Sequence, residues 1–160
     1  MVSGDLDKQR TVGIVLAGHA PLPEALLQAA TTILGAADQD WPQIATITIP
    51  ADLPNHDTLS QVRTAINAVD SGQGVLVLAD LFGGSATNTA MANLDNGNVE
   101  VVTGASLAMV IEALEKRDRV ANAQELAEFT AKAGRGSVII ANALLSKLDS
   151  KYLPTNQILA

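Results

Sequence analysis

The chain has no cysteine, almost no aromatic residues and fewer basic than acidic residues. Without cysteine there is neither a disulfide framework nor a thiolate zinc site. Aromatic residues make up 2% of the sequence against 48% apolar residues. Ala, Val, Leu and Ile must therefore build the core, which suits helices packed on a parallel sheet. No run approaches the roughly 18 apolar residues that a membrane span needs. The opening MVSGDLDKQR has no apolar stretch of signal-peptide type. These absences point to a soluble cytoplasmic domain, and a length of 160 residues fits a single one. The formal net charge of −7 argues against nucleic-acid phosphate as a partner. It favours a basic protein partner, because complementary charge accelerates encounter.

What is present is an alternation of strand and helix signals. Val12–Ala17 and Val75–Ala79 are unbroken apolar runs, read as strands buried on both faces. Ile44–Ile49 alternates Thr with Ala and Ile, the pattern of a half-exposed edge strand. Val99–Val102 is a short fourth strand. Between the first two strands, Leu22, Ala25, Leu26, Ala29, Ala30, Ile33 and Leu34 recur at helical spacing, with Pro21 and Pro23 at the start and Gly35 past the end. Leu59, Val62, Ile66 and Val69 mark a second helix with Asp57 as its expected cap. Further helices are expected over Ser85–Leu94, Leu107–Lys116 and Ala123–Ala133, the last stopping at Gly134-Arg135-Gly136. The β-branched start of Ser137–Leu145 reads as a strand.

This alternation implies an α/β fold with a parallel sheet, helices on both faces and right-handed crossovers. Placing the two fully apolar strands at the centre gives the order 2-1-3-4. Ligands bind such sheets where the strand order reverses, outside the C-terminal ends of strands 1 and 3. The loop after strand 1 carries His19, and the loop after strand 3 opens on Asp80 and continues through Gly83, Gly84 and Ser85. Topology alone thus brings His19 beside Asp80. A carboxylate that accepts a hydrogen bond from one imidazole nitrogen leaves the other free as a nucleophile. The Gly-Gly-Ser turn at a helix start would cradle an anion such as a phosphoryl group. Each residue also has a plainer reading. Asp80 or Ser85 can simply cap the next helix, and Phe82 suits packing or partner contact. His56 sits in a polar loop and takes no role. Arg117 and Arg119, in the run EKRDR, read as a solvated helix end, although an arginine near the site would help hold phosphate. Trp41 and Tyr152 have no partners inferable from sequence.

The stretches VGIVLAGHAPLPEALLQAATTILG, VLVLADLFGGSATNTA and VVTGASLAMVIEAL resemble, in order and spacing, three motifs of the mannose-type IIA components of the phosphoenolpyruvate-dependent sugar phosphotransferase system. The similarity runs from about Val12 to Val138. Ala20, Ala86, Ser106 and Ala108 stand where the family more often has Gly, Pro, Asn and Pro. The resemblance implies a phosphocarrier: His19 takes a phosphoryl group from HPr on Nε2 and passes it to a IIB component, Asp80 holds Nδ1, and Ser85 lies near the phosphate. It also implies a homodimer in which a C-terminal strand, here Ser137–Leu145, is exchanged across a Gly-Arg-Gly hinge, with no metal or organic cofactor. The membrane permease that selects the sugar is reached only indirectly. Residues 11–145 then form the domain, with an extension over 1–10 and a tail over 146–160.

Three other readings share the topology. The phosphotransfer subunit of a dihydroxyacetone kinase shares the fold but lacks the GGS-x-x-N pattern. A flavodoxin-like module for flavin or nucleotide would want hydroxyls after strand 1, where Gly18–Pro23 has no Ser or Thr. A hydrolase using Ser85 would want a nucleophile elbow and a second site histidine.

Overall fold

The computed structural model describes residues 10–37, 41–49, 55–81 and 98–145, with residues 55–59 described by their backbone alone. Strands β1 (Gly13–His19), β2 (Ile44–Ile49), β3 (Val75–Ala79) and β4 (Val99–Thr103) alternate with helices α1 (Leu22–Ile33) and α2 (Asn55–Val69) and precede α3 (Leu107–Lys116) and α4 (Ala123–Gly136). The strands form one sheet in the order β2-β1-β3-β4, every neighbouring pair parallel. This is the order expected from the apolar runs. The helix expected over Ser85–Leu94 lies outside the described residues.

Every residue of β3, and all of β1 except His19, is buried. Side chains alternate between faces. Ile14, Leu16, Leu76 and Leu78 pack against residues of α1, α3 and α4. Val15, Ala17, Val75 and Val77 pack against Val62, Ile66 and Val69 of α2. Helices therefore cover both faces, and water is kept from both sides of the central strands. In β2 only Ile47 and Ile49 are buried, as befits an edge strand with one covered face.

Several expectations shift. β1 continues through His19, so the histidine ends a strand and does not sit in a loop. The covered stripe of α1 runs through Pro23, Leu26, Leu27, Ala30, Thr31 and Leu34, while Leu22 and Ile33 remain 39% and 61% exposed. The helix tolerates this because the facing sheet covers only one stripe. Gly35, at φ +67°, ends it. Asp57 lies within α2, whose first residue is Asn55, and is not its cap. Trp41 donates from Nε1 to the Ala36 carbonyl at 3.1 Å and packs on the core.

α4 does not stop at Gly134 but runs to Gly136. A Cβ on Gly134 would lie 2.7 Å from both Cγ and Sδ of buried Met109, so this glycine serves close packing of α4 on α3. Ser137–Leu145 contains no strand. Residues 141–145 are helical and 138–140 have no regular structure; Val138, Ile139 and Ile140 are largely exposed and pair with none of the four described strands. Arg117 is not solvated. It is 5% exposed, and its Nη2 donates to the Pro42 carbonyl at 2.5 Å and to Thr11 Oγ1 at 3.4 Å. Those partners stand at the N-terminal end of β1 and ahead of β2, the opposite end of the sheet from His19. Arg117 locks that end together and cannot reach a group on the histidine. Arg119, 3.7 Å from Asp118, is largely exposed, as expected.

Candidate active site

The register pairs Ala17 with Ala79, which sets the next residues, Gly18 and Asp80, side by side at the C-terminal edge of the sheet. Gly18 has to lack a side chain. A Cβ there would come within 2.8 Å of Cγ and Oδ2 of Asp80. Through that gap the carboxylate meets His19. Oδ2 accepts from the His19 backbone N–H at 2.8 Å and contacts the ring Nδ1 at 2.7 Å. Oδ1 accepts from the Leu81 N–H at 2.8 Å.

The carboxylate is thus fixed at both oxygens and only 10% exposed, whereas the histidine side chain is 52% exposed. Burial by itself raises the Asp80 carboxyl. The hydrogen bonds from the His19 backbone, the His19 ring and the Leu81 N–H, together with the charge of His19, outweigh it and hold Asp80 below the ordinary carboxylate range. An ionised carboxylate oxygen can only accept, so Nδ1 carries the proton. In the neutral ring Nε2 then holds the free lone pair. The arrangement can support nucleophilic attack by Nε2, with Asp80 stabilising the positive charge that develops on the ring.

The same edge of the sheet carries a second carboxylate, outside the His19–Asp80 pair, that the sequence pattern does not reveal. Glu24, exposed in the first turn of α1, accepts a hydrogen bond from Thr48 Oγ1 at 2.6 Å. That bond and one from its own backbone hold its pKa low against a smaller opposing effect of burial, and Thr46 adds to them. Thr48 is the register partner of Gly18. The order across the sheet edge is therefore Glu24–Thr48, then Gly18, then Asp80. Gly18 was also missed as a site residue, and its signal was a glycine immediately before the histidine at a strand end. His19 and Asp80 are brought together as expected. Gly83, Gly84, Ser85 and Phe82 lie outside the described residues. So does the side chain of His56, whose backbone is in the first turn of α2.

A histidine oriented by a carboxylate at the switch point of a parallel α/β sheet defines a class of group-transfer centre on a doubly wound fold. Residues 13–131 match the family described as the fructose IIA component of the phosphotransferase system. The chain belongs to this mannose-type IIA family, whose members are phosphotransfer components of a sugar phosphotransferase system. It is similar to the mannose-specific EIIAB component of the phosphotransferase system of Escherichia coli K12, with 31% identity over 147 residues. That match covers 90% of this chain and 43% of the relative, so the chain spans less than half the length of that curated relative. The mannose/sorbose-specific IIA subunit of Enterococcus faecalis superposes with a TM-score of 0.70 at 28% identity, over 81% of this chain and 94% of that one. A phosphotransferase component EIIA of Streptococcus agalactiae, at 19% identity, shares the fold with a TM-score of 0.72 over 82% and 98% of the two chains. None of these relatives points to a dihydroxyacetone kinase or a flavodoxin-like module.

Proposed function

We propose that this chain is a cytoplasmic phosphocarrier that takes a phosphoryl group from HPr on Nε2 of His19 and hands it to a IIB component for sugar uptake. The observation that carries this reading is the 2.7 Å contact of Nδ1 with Asp80 Oδ2, which leaves Nε2 free on a half-exposed ring in a chain of the IIA family. In the transfer the P–N bond of the donor breaks as the Nε2–P bond forms. The donor nitrogen keeps the electron pair, and Nδ1 keeps its proton and its hydrogen bond. The positive charge on the ring is balanced by Asp80. Passing the group to the acceptor reverses these steps. Gly83, Gly84 and Ser85 are assigned to the phosphate on sequence grounds, as a turn suited to an anion at a helix start. Residues 11–145 form the carrier domain, flanked by 1–10 and 146–160.

We assign the chain to a homodimer on a separate observation. Val138, Ile139 and Ile140 are 84%, 63% and 76% exposed, and β4 has one strand neighbour among the described residues. A second copy of the same segment is a suitable cover for such a run.

The test is to mix the protein with phosphoenolpyruvate, enzyme I and HPr and to read intact mass. One acid-labile, base-stable phosphate is expected on the wild type and none on a folded His19→Ala variant. Phosphate on the variant would show that another residue carries the group.

A further inference from the structure

The phosphocarrier reading leaves Glu24 without a task, yet its carboxylate is held in place. An exposed glutamate ordinarily swings free, because ordering a long side chain costs entropy. Here Thr48 reaches from the edge strand to fix it at 2.6 Å. Thr48 is paired with Gly18, the residue before the histidine, and neighbouring strands lie about 4.8 Å apart. The fixed charge therefore stands at the C-terminal edge of the sheet, one strand away from the residue that precedes the histidine. Asp80 balances the charge of the ring from within, but Glu24 contacts neither His19 nor Asp80 in any described hydrogen bond. Beside these charges, among the described residues, stand exposed apolar side chains: Leu22, which lines the same cleft as Gly18 and Asp80, is 39% exposed and Leu81, next to Asp80, 60%. Apolar groups with one charge at their border make the pattern of a docking rim.

Resting on the proposed function, we infer that Glu24 is a specificity-determining residue: it pairs with a cationic side chain beside the phosphoryl group of the protein donor. The chemistry of the donor supplies the cation. A protein that carries a phosphoryl dianion must neutralise it with cationic or N–H groups next to the carrying atom. As phosphate moves to His19 those groups lose part of their counter-charge, and a carboxylate fixed within reach receives one of them. Glu24 thus keeps the two proteins in register while the P–N bond is exchanged. It acts on the encounter and on the alignment of the donor, not on the reacting atoms. A small phosphoryl donor with no protein surface would not depend on it.

The experiment measures initial rates of phosphoryl transfer from phosphorylated HPr to the full chain, at low and high salt, for the wild type, Glu24→Gln, Glu24→Asp and Thr48→Val. Phosphoramidate serves as the small donor. Glu24→Gln keeps the acceptor for Thr48 and removes the charge. It is expected to raise KM for phosphorylated HPr about threefold to fivefold at low salt with little change in kcat. The difference should fade near 1 M salt, where the screening length is about 3 Å. Glu24→Asp should recover part of the loss, and Thr48→Val should lose part of it with the charge intact. Rates with phosphoramidate should not change. An unaltered KM in Glu24→Gln, or an equal loss with phosphoramidate, would overturn the inference. A loss confined to transfer onto the IIB component would do the same. A wild type that accepts phosphate from neither donor would instead remove the His19 reading on which the inference rests.

Discussion

Asp80 accepts hydrogen bonds from the His19 N–H, the His19 ring and the Leu81 N–H. This has a consequence in acid. Its carboxyl lies below the ordinary range despite the opposing effect of burial. A group whose pKa is depressed in the folded state stabilises the fold in full above its unfolded value, about 3.9 for aspartate. That stability is lost as pH falls through the lower folded value. Asp80→Asn removes the charge and keeps the shape. Urea midpoints followed from pH 6 down to pH 2 should therefore fall less steeply for the variant than for the wild type. At neutral pH the same variant should accept phosphate about 10- to 100-fold more slowly, the worth of one charge-assisted hydrogen bond. At this scale the pairing of His19 with Asp80 was legible, because strand order and strand ends are enough to predict it. Gly18 was not, since its role is a clearance seen only once the carboxylate is in place. The Glu24–Thr48 bond was hidden for a like reason: it joins a helix start to an edge strand, and neither pattern names the other. The charged neighbours of Arg117 mask its burial in the sequence. Yet Val110, Ala113, Leu114 and Arg117 follow helical spacing, and the buried stripe of α3 extends straight onto the arginine.

Helices and strands with long periodic patterns came out where the sequence placed them, since burial of one face decides them. α3 and the order β2-β1-β3-β4 are examples. The misreadings fall where local propensity and packing disagree. Gly134 and Gly136 signal a break by propensity, but α4 continues through both. Gly134 is held by its fit to Met109, whereas a Cβ on Gly136 would meet nothing within 4 Å. The two glycines should therefore respond differently to the same change. Gly134→Leu forces α4 away from α3 and should cost about 1–3 kcal/mol by overpacking. Gly136→Leu should be neutral or slightly stabilising, because leucine has a higher helix propensity than glycine. Urea unfolding of both variants checks this, and equal destabilisation would mean that the Met109 contact does not set the helix position. The segment Ser137–Leu145 failed as a strand for another reason. β-branched residues favour extended backbone only when there is a sheet edge to join, and in the single chain this run pairs with none of the described strands.

At the scale of the whole molecule, an acidic chain carries an apolar run in the open. Val138, Ile139 and Ile140 are followed by Leu144 and Leu145, which are 49% and 57% exposed. Burying a single large aliphatic side chain is worth about 1.5–3 kcal/mol, so leaving this run wet forgoes several such contributions. The net charge of −7 disfavours self-association at long range, but it is screened beyond about 10 Å at ordinary salt. Contact burial therefore decides the outcome. If the run is covered by a second copy, the protein should sediment as a dimer at micromolar concentration. Val138 and Ile140 stand two residues apart, so they fall on one face when the segment is extended. Replacing both with aspartate removes two buried side chains and sets like charges in the interface, which should weaken the dimer by at least about 100-fold. Sedimentation velocity should then show a monomer. Far-ultraviolet circular dichroism should stay close to that of the wild type, because neither residue contributes to the core around β1 and β3. A wild type that runs as a monomer throughout would leave the run to a different protein, and the IIB component would be the next partner to try.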